Sequence, residues 1–173
     1  MTLTTERMEL QVLTGDQLGL WAGDIPALEG ELNCTYRAEP IEGSFRTIVE
    51  GQREKTRTDP QNAVWHSFWL LIRRSDRIVV GSADFKDVPD EDGCVELGYG
   101  LGKEYEGQGY MTEASKAMCA WALEQPDVNF VVAETERDNL PSQRVLTRCG
   151  FCPDRGGETL WWRLKGHPAK QNN

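Results

Sequence analysis

No apolar run in this chain approaches the length of a membrane span, and the opening Met-Thr-Leu-Thr-Thr-Glu-Arg holds no signal-peptide core. A cytoplasmic protein with no membrane partner is therefore expected. Basic residues are scarce: 19 Lys and Arg stand against 28 Asp and Glu, a formal net charge of −9. Nucleic-acid backbones are held by a basic footprint, so no nucleic-acid partner is expected. The same field favours a cationic substrate. Histidine occurs only at 66 and 167, and Cys149-Gly-Phe-Cys152 has no companion pair, so zinc-type spacing is missing and no metal is expected. That Cys-x-x-Cys straddles the end of an expected helix rather than its start, which removes the usual setting of a redox pair and leaves structural thiols as the reading. Five cysteines, an odd number without a secretory signal, fit a reducing compartment. Internal repeats and low-complexity runs are absent too.

What is present suits a globular protein: 173 residues, 39% hydrophobic and 27% charged, enough for one core. One domain over residues 1–166 is expected, with a loose tail over 167–173. Met8, Leu10 and Val12 alternate within 7–13, the pattern of a first strand. Thr14-Gly15-Asp16 can start a short helix carrying Leu18, Leu20 and Trp21, and Pro26 opens a second one through about Asn33. Pro40 and Ser44 introduce a longer helix with Phe45, Ile48, Val49 and Gln52 at helical spacing. Trp65 to Arg73, Arg77 to Lys86 and a run ending at Leu101 read as an antiparallel meander, in which Gly81 marks a bulge or a close approach. Met111, Ala114, Met118, Trp121 and Ala122 form one apolar helical stripe. A strand over 129–134, a helix over 140–149 and a strand over 159–165 complete the chain. This order predicts an α+β fold: a mixed, mostly antiparallel sheet with helices on both faces.

Two stretches carry the chemistry. In the first, a strand ends at Tyr99 and Leu101, glycines follow at 107 and 109, and a helix starts at about 109–111. Glycines there admit positive φ, the successive N–H groups point into one hollow, and the helix adds its positive end. That arrangement seats a phosphate. No Lys-Ser or Lys-Thr follows, which argues against a P-loop, and Gly98, Gly100 and Gly102 lack the spacing of a dinucleotide fingerprint. The second stretch is Asn139-Leu140-Pro141-Ser142 leading to Val145, Leu146, Cys149, Gly150 and Phe151. Ser142 shares a helical face with Val145, Leu146 and Cys149, so it is either bonded to its own backbone or reaching a ligand. By strand parity Glu96, Gly98 and Gly100 share one face and Val95, Leu97, Tyr99 and Leu101 the other.

Together these stretches resemble the GCN5-related N-acetyltransferase (GNAT) superfamily, most closely its RimJ/RimL-type branch, with the likeness dense from about residue 77 to 151. That branch carries a (Gln/Arg)-x-x-Gly-x-(Gly/Ala) pyrophosphate loop, here Glu106-Gly107-Gln108-Gly109-Tyr110-Met111, and an Asn-x-x-Ser ahead of a helix ending in Gly-Phe. Glu106 and Met111 depart from the pattern, and an acid at 106 is expected to point away from the diphosphate.

The resemblance implies the GNAT acyl-CoA N-acyltransferase fold and acetyl-CoA as cosubstrate. It also implies transfer to a primary amine, a protein N-terminus or a small cationic amine, by direct attack in a ternary complex. A non-catalytic CoA-binding or regulatory module of the same fold is the alternative. Implied cofactor contacts are Tyr99, Leu101, Gly107, Gln108, Gly109, Tyr110, Met111, Thr112, Asn139 and Ser142. Glu96 is the candidate base, with Asp84, Glu158 or a water chain as alternatives. Ser142 is the candidate acid, with Tyr99 and Tyr110 as alternatives. Monomer and homodimer both remain open.

Overall fold

The computed structural model describes residues 1–166, so the tail expected over 167–173 lies outside the described residues. Among the described residues nine strands form one sheet. They are β1 (Thr2–Thr4), β2 (Met8–Val12), β3 (Thr35–Tyr36), β4 (Phe68–Arg73), β5 (Ile78–Phe85), β6 (Cys94–Leu101), β7 (Phe130–Glu136), β8 (Cys152–Gly156) and β9 (Thr159–Lys165). Their order is β1-β2-β4-β5-β6-β7-β9-β8, with β3 set beside β5. All neighbours are antiparallel except β3/β5 and β6/β7, which are parallel. The helices are α1 (Gly15–Gly23), α2 (Ile25–Leu32), α3 (Gly43–Thr58), α4 (Ala63–His66), α5 (Tyr110–Leu123) and α6 (Leu140–Arg148). The α+β expectation holds. No helix among the described residues is long and apolar enough to cross a membrane.

The central strands explain the layering. Phe68 to Ile72 of β4 are all buried, as in a strand covered on both faces. Phe68, Leu70 and Ile72 pack with Leu18, Trp21, Leu28 and Val49 of α1–α3. Trp69 and Leu71 pack on the opposite face with Met111, Ala114 and Met118 of α5 and Leu146 of α6. Each of these side chains larger than Ala114 contributes about 1.5–3 kcal/mol by leaving water. Thr14 closes a capping box with Gln17 at the start of α1, a helix start read from Thr14-Gly15-Asp16.

Departures from expectation lie in α4 and in strands β1, β3 and β8, whereas Gly81 marks the irregularity expected of it. Strand β4 begins at Phe68, and Trp65 and His66 belong to the helical turn α4, which continues a turn opened by Pro60. His66 is buried there with Nε2 3.0 Å from Asp59 Oδ2. Strands β1, β3 and β8 carry too little pattern to be read: β3 has two residues, and every residue of β8 is exposed. Gly81 sits at the register shift of β4 on β5, where a Cβ would lie 2.5 Å from Gly100 O. Beyond that point β6 ends, and β3 takes the same edge of β5 at Ile78 and Val79. The chain leaving β3 is thereby delivered across the end of β6.

Candidate active site

Helix α5 starts without a side-chain cap. Gly107 and Gly109 take φ of 74° and 81°, and Gly109 is the N-cap residue. The main-chain N–H groups of Tyr110, Met111 and Thr112 have no acceptor among the described residues. These residues line a cleft of about 270 Å³ with Leu101, Arg144 and Arg148, and the positive end of the helix lies behind them. Met111 does not plug the hollow, because its side chain is 3% exposed and packs into the core. Arg7 holds the loop in place. Its Nη1 donates to Gln108 O at 2.8 Å and its Nε pairs with Glu113 Oε2 at 2.7 Å. Burial pushes the Glu113 carboxyl up, but bonds from the Thr5 hydroxyl and from Arg7 outweigh it and hold the group below its ordinary range.

Strands β6 and β7 pair only from Cys94 to Glu96 and from Phe130 to Val132, then part. Lys86 N donates to Glu96 O and Gly102 N to Val80 O, so the even-numbered residues of β6 bond to β5. The main-chain groups of Leu97, Tyr99 and Leu101 are left facing the edge that β7 has vacated. The wedge between the strands is lined by Leu97, Tyr99, Thr135, Asn139 and Ser142, and it opens into the cleft at Tyr99, Asn139 and Ser142. Tyr99 Oη lies 2.8 Å from Ser142 Oγ. Burial pushes the Tyr99 phenol up to about 12, with the Ser142 bond opposing. Asn139 Oδ1 accepts from Ser142 N at 3.2 Å, a cap of about 1 kcal/mol.

A third hollow, about 150 Å³, lies on the α3 side of β5 and β6 and shares Glu39, Tyr99 and Gly100 with the cleft. Strand pairing sets Asp84 opposite Gly98 and Ser82 opposite Gly100. A Cβ at Gly98 would lie 2.7 Å from Asp84 Oδ1, and one at Gly100 2.7 Å from Glu39 Oε1. The floor is glycine because the Glu39 carboxylate occupies the space above Gly100, and Asp84 Oδ1 together with Lys86 Nζ the space above Gly98. Burial raises the Glu96 carboxyl, with Glu134 and Asp84 adding and Lys86 opposing. Burial likewise raises Asp84, against Lys86, and burial with the charge of Glu106 raises Glu39.

The family described as "Acetyltransferase (GNAT) domain" matches residues 28–152. The chain belongs to the GNAT acetyltransferase family. Among curated relatives, the "Uncharacterized N-acetyltransferase YjdG" of Bacillus subtilis (strain 168) is 35% identical over 83 residues, 48% of this chain and 49% of that protein. The chain spans about half the length of the curated relatives it matches. The ribosomal-protein-S5-alanine acetyltransferase of Vibrio fischeri superposes with a TM-score of 0.67 at 14% identity, covering 96% of this chain and 97% of that one. RimL, a ribosomal L7/L12 alpha-N-protein acetyltransferase in complex with coenzyme A, superposes with a TM-score of 0.65 at 15% identity, covering 95% and 98%. At these identities the solved structures establish the GNAT fold.

Within this GNAT fold, nine of the ten expected cofactor contacts line the cleft. The exception is Gln108, whose side chain turns back to donate to Glu104 O at 3.0 Å. Tyr110 lines the cleft, but its hydroxyl accepts from Arg73 Nη1 at 3.2 Å and is directed away from Ser142. Glu106 does not point away; it lines the cleft beside Glu39. Glu158 is exposed in the turn between β8 and β9, and neither it nor Glu96 lines any of the three hollows. Sequence reasoning missed Glu39, which lies in an irregular segment, and Arg144 and Arg148, whose four-residue spacing on α6 was the one available sign.

Neither oxygen of Asp84 accepts a hydrogen bond among the described residues, and Oδ2 is sealed from solvent. Its folded pKa lies above the ordinary value of 3.8. Its protonated form is therefore favoured by folding, and stability falls as pH rises through the folded value. Asp84→Asn is expected to raise Tm at pH 7 by roughly 2–12 °C, since the amide leaves no charge to bury and an unsatisfied buried group costs about 1–3 kcal/mol, more when charged. Melts from pH 4 to 8 check it: the advantage of the variant must grow with pH.

Proposed function

We propose that this chain is an acetyl-CoA-dependent N-acetyltransferase acting on a primary amine, either a protein N-terminus or a small cationic amine. The observation that carries this reading is the junction at Tyr99, where the phosphate seat, the wedge between β6 and β7, and the carboxylate-rich hollow meet. The residues fit the cosubstrate. Amides of Tyr110 to Thr112 suit a diphosphate, Arg144 and Arg148 add positive charge to the cleft, and the vacated edge of β6 offers Leu97, Tyr99 and Leu101 to a pantetheine amide chain. Family membership and the two solved neighbours that are ribosomal-protein acetyltransferases support the same reading.

When bound, acetyl-CoA supplies a thioester for an amine to attack. Glu96, its carboxyl raised above the ordinary value by burial, takes one proton from the ammonium through water. Tyr99 and Ser142, joined at 2.8 Å, give one proton to the departing sulfur. The second proton shed by the nitrogen restores that pair, so each transfer releases one proton to solvent. Ser142→Ala is expected to lower kcat by about 10–100-fold with CoA affinity nearly unchanged, the remaining rate being carried by Tyr99.

Free-thiol release from acetyl-CoA in the presence of a panel of amines tests the proposal. Turnover on at least one amine is expected. CoA-dependent thermal stabilisation with no transfer to any of them would instead make the chain a binding module.

A further inference from the structure

We propose that the acceptor arrives as an ammonium from the α3 side and is gripped between the carboxylates of Asp84 and Glu39 above the Gly98–Gly100 floor. These two residues, rather than Glu96, then set recognition of the amine head. The inference rests on the transferase reading above and assigns the part of the site that reading leaves open.

Asp84 is 2% exposed, yet no donor reaches either of its oxygens among the described residues. Buried carboxyl groups in folded proteins are normally paired or hydrogen-bonded, and one left bare beside a hollow calls for a donor from outside. Asp84 lines the 150 Å³ hollow, with Oδ1 held over Gly98. The neighbouring cation does not satisfy it: Lys86 forms no salt bridge with Asp84 or any other acid among the described residues.

Glu39 closes the hollow from the other side. Strand β3 brings the chain along β5, where Arg37 N donates to Val79 O at 3.1 Å. The Tyr36 hydroxyl then donates to Glu39 O at 2.6 Å. So anchored, the Glu39 carboxylate stands over Gly100, with both oxygens within 2.9 Å of the place a Cβ would take. It lines both the hollow and the cofactor cleft, so a nitrogen bound to it sits at the passage between them. Phe45, Phe68 and Ile48 form the apolar wall, Ser82 and Lys86 also line the hollow, and Ile48 is 46% exposed. The lining suits a primary ammonium on a slender apolar stem. Its N–H groups meet two carboxylates while its methylenes meet the aromatic wall. Added N-alkyl groups would remove donors where the hollow supplies acceptors.

The test uses the full chain saturated with CoA, with carboxyl carbons of Asp and Glu labelled for NMR. It is titrated with n-butylammonium and, separately, with n-butanol, which has the same stem and no charge. Butylammonium is expected to move the Asp84 and Glu39 signals together and saturably, and butanol to leave them in place. Asp84→Asn and Glu39→Gln should each weaken butylammonium binding at least tenfold, and Asp84→Asn, which lies outside the cofactor cleft, should keep CoA affinity by calorimetry within twofold. Equal shifts from both probes, or undiminished butylammonium binding in the two variants, would overturn the inference. Loss of CoA binding by the parent protein would instead strike the transferase reading and is read separately.

Discussion

Glu96→Gln is expected to lower kcat for amine acetylation by about 10²–10⁴-fold while CoA affinity stays within a few-fold. Glu96 sits on the last paired rung between β6 and β7, opposite Val132, where the wedge opens. Burial, with Glu134 and Asp84 adding, raises its carboxyl, which moves a weak base toward the strength that removing an ammonium proton requires. The sign of the pH dependence follows. Below its folded pKa Glu96 is protonated and cannot accept, so the parent's kcat rises with pH through that value and then levels. The glutamine variant should lose this limb and keep only a low, flatter rate. A kcat profile from pH 5 to 9 checks both points. A variant rate within threefold of the parent would move the base to Asp84 or to a water chain.

Gly109→Val is expected to reduce CoA affinity at least 100-fold. At φ of 81° a residue with a Cβ costs roughly 1–2 kcal/mol, and the added carbon would come within 3.3 Å of Arg7 Nη2. The loop must shift to relieve both, and the amides of Tyr110 to Thr112 shift with it. Hydrogen bonds to a charged group are worth about 1.5–3 kcal/mol each, so losing two exceeds the 2.7 kcal/mol of a 100-fold change. Calorimetric titration with CoA measures the loss, and an unchanged far-UV spectrum shows that the fold survives. Affinity within threefold of the parent would mean that this loop is not the phosphate seat.

Where local pattern and tertiary partner agree, the chain could be read in advance. The parity of β6, the starts of α5 and α6, and the glycine loop follow from neighbours a few residues apart. The likeness of that loop and of Asn139–Phe151 to GNAT motifs carried the reading from local structure to chemistry. What was not legible is set by contacts between distant residues. Glu39 gains its place only because β6 stops and β3 takes over the same edge of β5. The parting of β6 from β7 depends on a partner strand that ends its pairing. Trp65 and His66 continue the apolar pattern of β4, yet the turn opened at Pro60 draws them into a helix. Glu106 lines the cleft instead of turning from the anion, and the charges of Arg144 and Arg148 that share this cleft come from another element.

The most direct test of the account follows the main-chain amide signals of Tyr110, Met111 and Thr112 as CoA is titrated into ¹⁵N-labelled protein. All three are expected to move downfield and saturate together, with the Ser142 amide moving over the same range. Saturation by CoA with these amides unmoved, or no binding at millimolar CoA, would contradict it.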